Sequence, residues 1–261
     1  MEVIIVDTPQ EGASLVTDAV AAILARPNPV LGLATGSSPL PVYDEWQRRY
    51  DLGEISFANA RAFALDEYVG LPPDHPESYR AVLQREVADR VDFAPGAIQT
   101  PDGWSDDIPA ACAAYDQAIR DAGGIDLQLL GVGSDGHIGF NEPTSSLESP
   151  TRIKSLTVQT REDNARFFDD DISQVPKHVV TQGIGTIRRA RHLVMLVWGE
   201  SKAEAVAATV EGPVTSMYPS TALQLHPKAT VIVDRPAASR LEHAAYYQEV
   251  FDNKPEWQGI S

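Results

Sequence analysis

Residues 125–143 read I-D-L-Q-L-L-G-V-G-S-D-G-H-I-G-F-N-E-P. A mostly apolar run, Leu127 to Leu130 with one polar interruption, stops at glycines, and Asp135, His137 and Glu142 follow within eight residues. A buried strand delivers polar chemistry to the edge of a sheet in this way. In open α/β folds ligands collect beyond the carboxyl ends of the strands, where loops converge without breaking the ladder. The glycines let the backbone turn with positive φ or approach a ligand closely. The loop is the expected active site.

The pattern repeats outward from there. Val3 to Val6 and a helical stretch from Glu11 to Leu24 form a β-α unit. Val30 to Ala34 is a second buried strand, running into Thr35-Gly36-Ser37-Ser38, with Pro39 expected as the first residue of a helix to about Tyr50. Arg61 to Leu65 is a third strand, ending in Asp66-Glu67-Tyr68, then a proline-rich loop to Glu77 and a helix over Ser78 to Val87. Residues 93–104 read as turns, Ile108 to Ala122 as a helix, and Gly139 to Ser155 as a long binding or lid loop, with Arg152 to Val158 partly extended. Helix is expected over Arg161 to Phe168 and Ile184 to Ala190, strand over Leu193 to Val197, helix over Ser201 to Val210, and a last strand over Thr230 to Val233. Further helical segments and a polar tail from Asn253 follow, while Val175 to Thr181 has no clear pattern. Alternating strands and helices predict a single-domain, Rossmann-like α/β fold over residues 1–261, an open, mostly parallel sheet with helices on both faces.

The formal charge of -16 and the scarcity of lysine, five of 21 basic residues and none before Lys154, leave no basic stripe. Nucleic acid and anionic membranes are therefore not expected partners. The few cations beside glycine loops stand out against an acidic surface. Cys112 is the single cysteine, so no internal disulfide or cysteine metal cluster forms, and it reads as packing within a helix. The sequence begins M-E-V-I-I-V-D, without the pattern of a secretory signal, and no apolar run approaches a membrane span. The expected location is the cytoplasm.

Gly131, Gly133 and Gly136 match G-x-G-x-x-G after a strand, but a dinucleotide fingerprint needs a helix to open at the third glycine, and H-I-G-F-N-E-P is a poor helix start. Thr35, Gly36, Ser37 and Ser38 have the better claim to a phosphate, since strand, small-residue loop and helix present free amides to an anion. An ordinary cap by Ser38 is the alternative. Asp66-Glu67 is either a solvated acidic pair or, partly buried, a base with a raised pKa. His137 with Asp135 and Glu142 reads as a tuned acid/base, or as a metal set of one imidazole and two carboxylates.

Taken together, L-G-L-A-T-G-S-S-P (31–39), L-D-E-Y-V-G-L-P (65–72), H-P-E-S-Y (75–79), G-V-G-S-D-G-H-I-G-F-N-E-P (131–143), T-R-I-K (151–154), N-A-R-F-F (164–168) and L-Q-L-H-P-K-A (223–229) resemble the glucosamine-6-phosphate deaminases. The resemblance implies conversion of glucosamine 6-phosphate and water to fructose 6-phosphate and ammonia, with no metal or organic cofactor. It implies Asp66 as the base moving the C2 proton toward C1. It makes His137 the acid/base for ring opening, oriented by Asp135 and Glu142. Residues 35–38 would take the phosphate together with Arg166 and Lys202. Some relatives are hexamers switched on by N-acetylglucosamine 6-phosphate, and Ser145, Arg152 and Lys154 match the pattern that binds this effector. The implied partners are thus a phosphosugar substrate, that effector and further copies of the chain.

Three other functions compete. A 6-phosphogluconolactonase would keep the phosphate loop but lack F-N-E-P. A sugar-phosphate sensor that regulates transcription would need a DNA-reading module, for which residues 1–24 leave no room. Aldose-ketose isomerisation without ammonia release needs the same base.

Overall fold

The structure, a computed structural model, describes residues 1–72 and 74–260, with the backbone alone described at 159, 163 and 256. Pro73 of the proline-rich loop lies outside the described residues. The chain runs β1 (Glu2–Val6), α1 (Pro9–Leu24), β2 (Val30–Leu33), α2 (Leu40–Asp51), β3 (Arg61–Ala64), β4 (Asp66–Tyr68), α3 (Tyr79–Leu83), β5 (Ile98–Gln99), α4 (Ile108–Asp121) and β6 (Leu127–Leu130). It continues through β7 (Arg152–Ser155), α5 (Val158–Ala165), β8 (His178–Thr181), α6 (Ile184–Ile187), β9 (Leu193–Val197), α7 (Ala203–Glu211), β10 (Ala229–Asp234) and α8 (Ala244–Asp252).

Seven strands form a parallel sheet in the order β1-β10-β9-β6-β2-β3-β5. Strands β6, β9 and β10 are buried along their whole length, as a parallel sheet with helices on both faces requires. From β2 the chain builds outward through β3 and β5, then returns to the other side of β2 as β6. That reversal is a topological switch point, and it opens a crevice beyond the carboxyl ends of β2 and β6. Gln128, the polar interruption of β6, is fully buried and lies across Gly32 of β2, where a Cβ would come within 2.0 Å of Oε1. Glycine in β2 thus makes room for a polar side chain at the centre of the sheet.

Local chemistry sets the ends of the elements. Thr8 and Glu11 close a reciprocal capping box on α1, and Asp107 caps α4 through the Ala110 amide. Two buried tyrosines then pin the strand ends that face the crevice. Tyr43 of α2 donates to the Ala34 carbonyl at 2.7 Å, and Tyr115 of α4 donates to the Ala64 carbonyl at 2.8 Å.

A second sheet departs from expectation. Asp66, Glu67 and Tyr68 are not the end of β3 but a strand of their own, β4, one edge of an antiparallel sheet ordered β4-β8-β7. It encloses a separate small core of Tyr68, Phe140, Leu156, Ala165, Phe168, Val175 and Val179. The patternless 175–181 stretch therefore supplies the middle strand, β8. Arg152–Ser155, at the end of the expected long loop, is the edge strand β7. The helix expected over Ser78 to Val87 divides into α3 and a π-helical turn over Gln84–Ala88, and the 93–104 turn region contains the short strand β5. The C-terminal tail is not merely polar, since Ile260 joins the main core. Cys112 is buried in α4, where burial raises its thiol pKa. Among the described residues no helix is long and apolar enough to cross a membrane.

Candidate active site

Two loops meet at the switch point. The first, residues 35–38, turns out of β2 at Gly36, whose φ of +87° favours glycine. No side chain caps α2. Pro39 occupies the cap position, one residue before the helix starts, and Pro41 falls in the first turn. The amides of Gly36, Ser37 and Ser38 donate to no other described residue, so an anion could take them at the positive end of the helix dipole. The loop is braced from two sides. Trp198, at the end of β9, donates its indole N–H to the Ser38 carbonyl at 2.9 Å, and Gly131 lies so close that a Cβ would sit 3.2 Å from Ser38 Oγ. Lys202 follows in the turn Glu200–Lys202, so the cation and the loop occupy the same end of the sheet.

The second loop holds an oriented imidazole. His137 Nδ1 lies 2.7 Å from Asp135 Oδ1, and the His137 amide donates to the same oxygen at 3.2 Å. The hydrogen bond from the imidazole holds Asp135 well below the usual carboxylate range, against the opposing effect of burial. With Nδ1–H directed at a carboxylate, the neutral ring keeps its lone pair on Nε2. Glu142 Oε2 stands further off, 3.9 Å from Nδ1. Asp135 is therefore the direct orienting partner and Glu142 a more distant one. The imidazole rests on Gly133, where a Cβ would lie 2.1 Å from ring atom Cε1.

Asp66 faces this loop from β4. Gly139, at φ +55°, passes so near that a Cβ there would stand 3.4 Å from Asp66 Oδ2 and 2.9 Å from Thr181 Oγ1. Asp66 is only 5% exposed, and its pKa rises from 3.8 to about 8, first through burial and then through the charge of Glu67. Glu67 points the other way. Its carboxylate accepts from the amides of Tyr68, Tyr79 and Arg80 at 2.8, 3.0 and 2.9 Å, which caps α3. Burial also raises Glu67, partly offset by those amides. The acidic pair thus separates into one carboxylate facing the crevice and one that is structural.

Asp135, His137 and Glu142 offer donor atoms within 4.8 Å of one another, a set that a divalent cation could accept. His137 Nδ1 is already hydrogen-bonded to Asp135. The geometry present is a hydrogen-bonded acid/base pair, set across from a buried carboxylate of raised pKa and beside an anion-ready loop.

A family model described as glucosamine-6-phosphate isomerases/6-phosphogluconolactonase matches residues 8–232. The chain belongs to this family. The glucosamine-6-phosphate deaminases of Mycolicibacterium smegmatis and Beutenbergia cavernae are 63% and 62% identical to it, over 261 residues covering all of each chain. A solved structure of a monomeric glucosamine-6-phosphate deaminase is 40% identical with a TM-score of 0.88, covering 92% of this chain and 99% of that one. The 6-phosphogluconolactonase from Trypanosoma brucei has a TM-score of 0.72 at 19% identity, covering 92% of this chain and 98% of that one, a likeness of fold.

The remaining expected residues of this glucosamine-6-phosphate isomerase/6-phosphogluconolactonase family member are more dispersed. Arg166 caps the C-terminus of α5, its amide donating to the Asn164 carbonyl; its exposed guanidinium lies 4.7 Å from the Phe167 ring centre and makes no hydrogen bond or ion pair to a described residue. Arg152 and Lys154 share the partly buried side of β7, while Ile153 and Ser155 are exposed. Arg152 already donates to Asn141 Oδ1 at 2.8 Å, and burial lowers its pKa. Ser145 is buried, and its Oγ has no partner among the described residues.

Several residues that hold the site together were not singled out from the sequence as site residues. Asn141 is fully buried and donates to the Ile138 and Gln182 carbonyls. Thr181 accepts from the Phe140 amide at 3.1 Å. Gln182 donates from its side chain to the Ala64 carbonyl and from its amide to the Leu65 carbonyl. Together they fasten the His137 loop to the strand that carries Asp66. Polar residues inside a β-branched stretch, T-Q at 181–182, were the available clue.

Proposed function

We propose that this chain is a glucosamine-6-phosphate deaminase acting as a single domain, with the 6-phosphate on residues 35–38, Arg166 and Lys202. One observation carries the reading. Two proton-handling groups in contrasting environments, buried Asp66 and the Asp135-oriented His137, share one crevice in a chain 63% identical along its length to a deaminase.

Ring opening needs a group that takes the C1 hydroxyl proton and protonates the ring oxygen, and His137 Nε2 can do both. In the open aldehyde the C2 proton is acidic. Asp66 removes it as the aldehyde oxygen takes up a proton, giving an enolamine; Asp66 then returns the proton to C1 and the nitrogen releases one, so that C1 becomes a hydroxymethyl and the amine-bearing C2 an imine. Water adds at C2 and ammonia leaves, giving the 2-ketose phosphate. A carboxylate with a pKa near 8 suits both removal and return of the proton. Asp135 and Glu142 keep the imidazole in the working tautomer.

The proposal places the protein in amino-sugar catabolism in the cytoplasm. It also includes assembly into a homo-oligomer, with N-acetylglucosamine 6-phosphate acting through Ser145, Arg152 and Lys154. The 40%-identical deaminase is monomeric, so mass in solution is the first check on that part.

The test is ammonia release from glucosamine 6-phosphate by chelator-treated protein, with and without the acetylated sugar phosphate. Release supports the deaminase. No release in either condition refutes it and directs the assay to 6-phosphogluconolactone hydrolysis. Formation of a ketose phosphate without ammonia would instead support simple isomerisation.

A further inference from the structure

Helix α5 meets the site with a polar face. Residues 157, 160, 161 and 164 fall at helical spacing on one side, and each makes a polar contact. Thr157 caps the helix, its Oγ1 accepting from the Thr160 amide at 3.1 Å. Arg161 donates to the Ile172 carbonyl at 2.6 Å. Asn164 donates to the Tyr68 hydroxyl at 3.1 Å, two residues beyond Asp66. Thr160 Oγ1 donates to Glu142 Oε1 at 2.8 Å.

The hydrogens can be assigned. The Thr160 hydroxyl donates to Glu142, so its single proton is committed there. Thr157 and Thr160 Oγ1 atoms are 2.8 Å apart, so the Thr157 proton must then point to Thr160. Two hydroxyls in series therefore end on one oxygen of Glu142, each polarising the next. The other Glu142 oxygen faces His137 Nδ1 at 3.9 Å, and the side chain is 13% exposed. Thr160 thus holds the Glu142 carboxylate from the α5 side, while Asp135 and His137 lie against it from its own loop.

We infer that Thr160 is a positioning residue for the reaction, aligning Glu142 toward His137 from a helix whose C-terminal cap is Arg166. The inference rests on the deaminase reading. It assigns α5 two duties, phosphate capture at one end and alignment of the imidazole's second carboxylate at the other.

Thr160→Val keeps the branched shape and removes the hydroxyl, and Thr160→Ser keeps the hydroxyl. The expected result for Thr160→Val is a kcat lower by about tenfold, or about 1.4 kcal/mol. KM should stay within about twofold, a limb of the kcat pH profile should move, and Thr160→Ser should recover most of the rate. In a Glu142→Ala background the valine substitution should add nothing. An unchanged kcat and pH profile, a rise in KM alone, a serine variant as slow as the valine one, or an independent loss in the Glu142→Ala background would each overturn it. Wild-type ammonia release that Thr160→Val leaves intact overturns this inference alone. Absence of wild-type release overturns the deaminase reading as well.

Discussion

Replacing Asp66 with asparagine should make the protein more stable than the wild type by a margin that grows with pH, while removing turnover. The carboxylate has a pKa of 3.8 in the unfolded chain and about 8 in the fold. Below pH 3.8 both states are protonated and burial carries no ionisation penalty. Between the two values the unfolded chain releases a proton that the native protein keeps, so wild-type stability falls by about 1.4 kcal/mol per pH unit. Above pH 8 both are ionised and the loss levels off. Integration gives a penalty of about 2 kcal/mol at pH 5 and about 4 kcal/mol at pH 7. The amide of asparagine does not titrate, and the difference in packing between the two side chains is the same at every pH. Glu67 remains in both proteins. The observable is therefore the gap in unfolding free energy, measured by urea titration at pH 5, 6 and 7, which should widen by more than 2 kcal/mol across that range. A gap that stays constant, or narrows with pH, would show that Asp66 is not held protonated by its surroundings.

Three further outcomes follow from the same geometry. The acid limb of kcat/KM should rise through an apparent pKa far above 4, because Asp66 must be ionised to take the C2 proton; a limb near 4 would exclude Asp66 as the base. Gly133→Ala puts a methyl group 2.1 Å from the His137 ring at an ordinary φ, so the imidazole must move, and ammonia release should drop about 100-fold with circular dichroism unchanged. Near-full activity there would mean that the ring position is not critical. Glu67→Ala leaves three amides without their acceptor and should lower unfolding free energy by about 3 kcal/mol, which urea titration would register.

The parallel sheet was legible because most of its longer strands are short apolar runs that stop at or near glycine or proline, and the expected site loops lie where strands stop. Asp135, His137 and Glu142 were readable for the same reason, being close in sequence and therefore close in space. The small antiparallel sheet was not. Its strands are only three or four residues long, come from three distant parts of the chain, and are stabilised by partners that no local pattern names. The division of labour between Asp66 and Glu67 was hidden too, since adjacent carboxylates look alike until the α3 amides are seen to take one of them. Arg152 shows the opposite gap. Its motif suited an effector site, and no local pattern announced the hydrogen bond it makes to Asn141 of the His137 loop.

Strand β4 also sets a limit on length variation. Successive side chains of a strand point to opposite sides, and β4 is three residues long, its register fixed by pairing of Asp66 with Thr181 and by the Gln182 amide on Leu65. An insertion or deletion of one residue at Leu65 would turn the amide-saturated glutamate toward the sugar and leave the start of α3 facing an aspartate too short to reach it. Substitution at this junction can be graded, but a change in chain length cannot. Among homologues, gaps should therefore collect in the loops on either side of the Leu65 to Tyr68 segment and be absent within it.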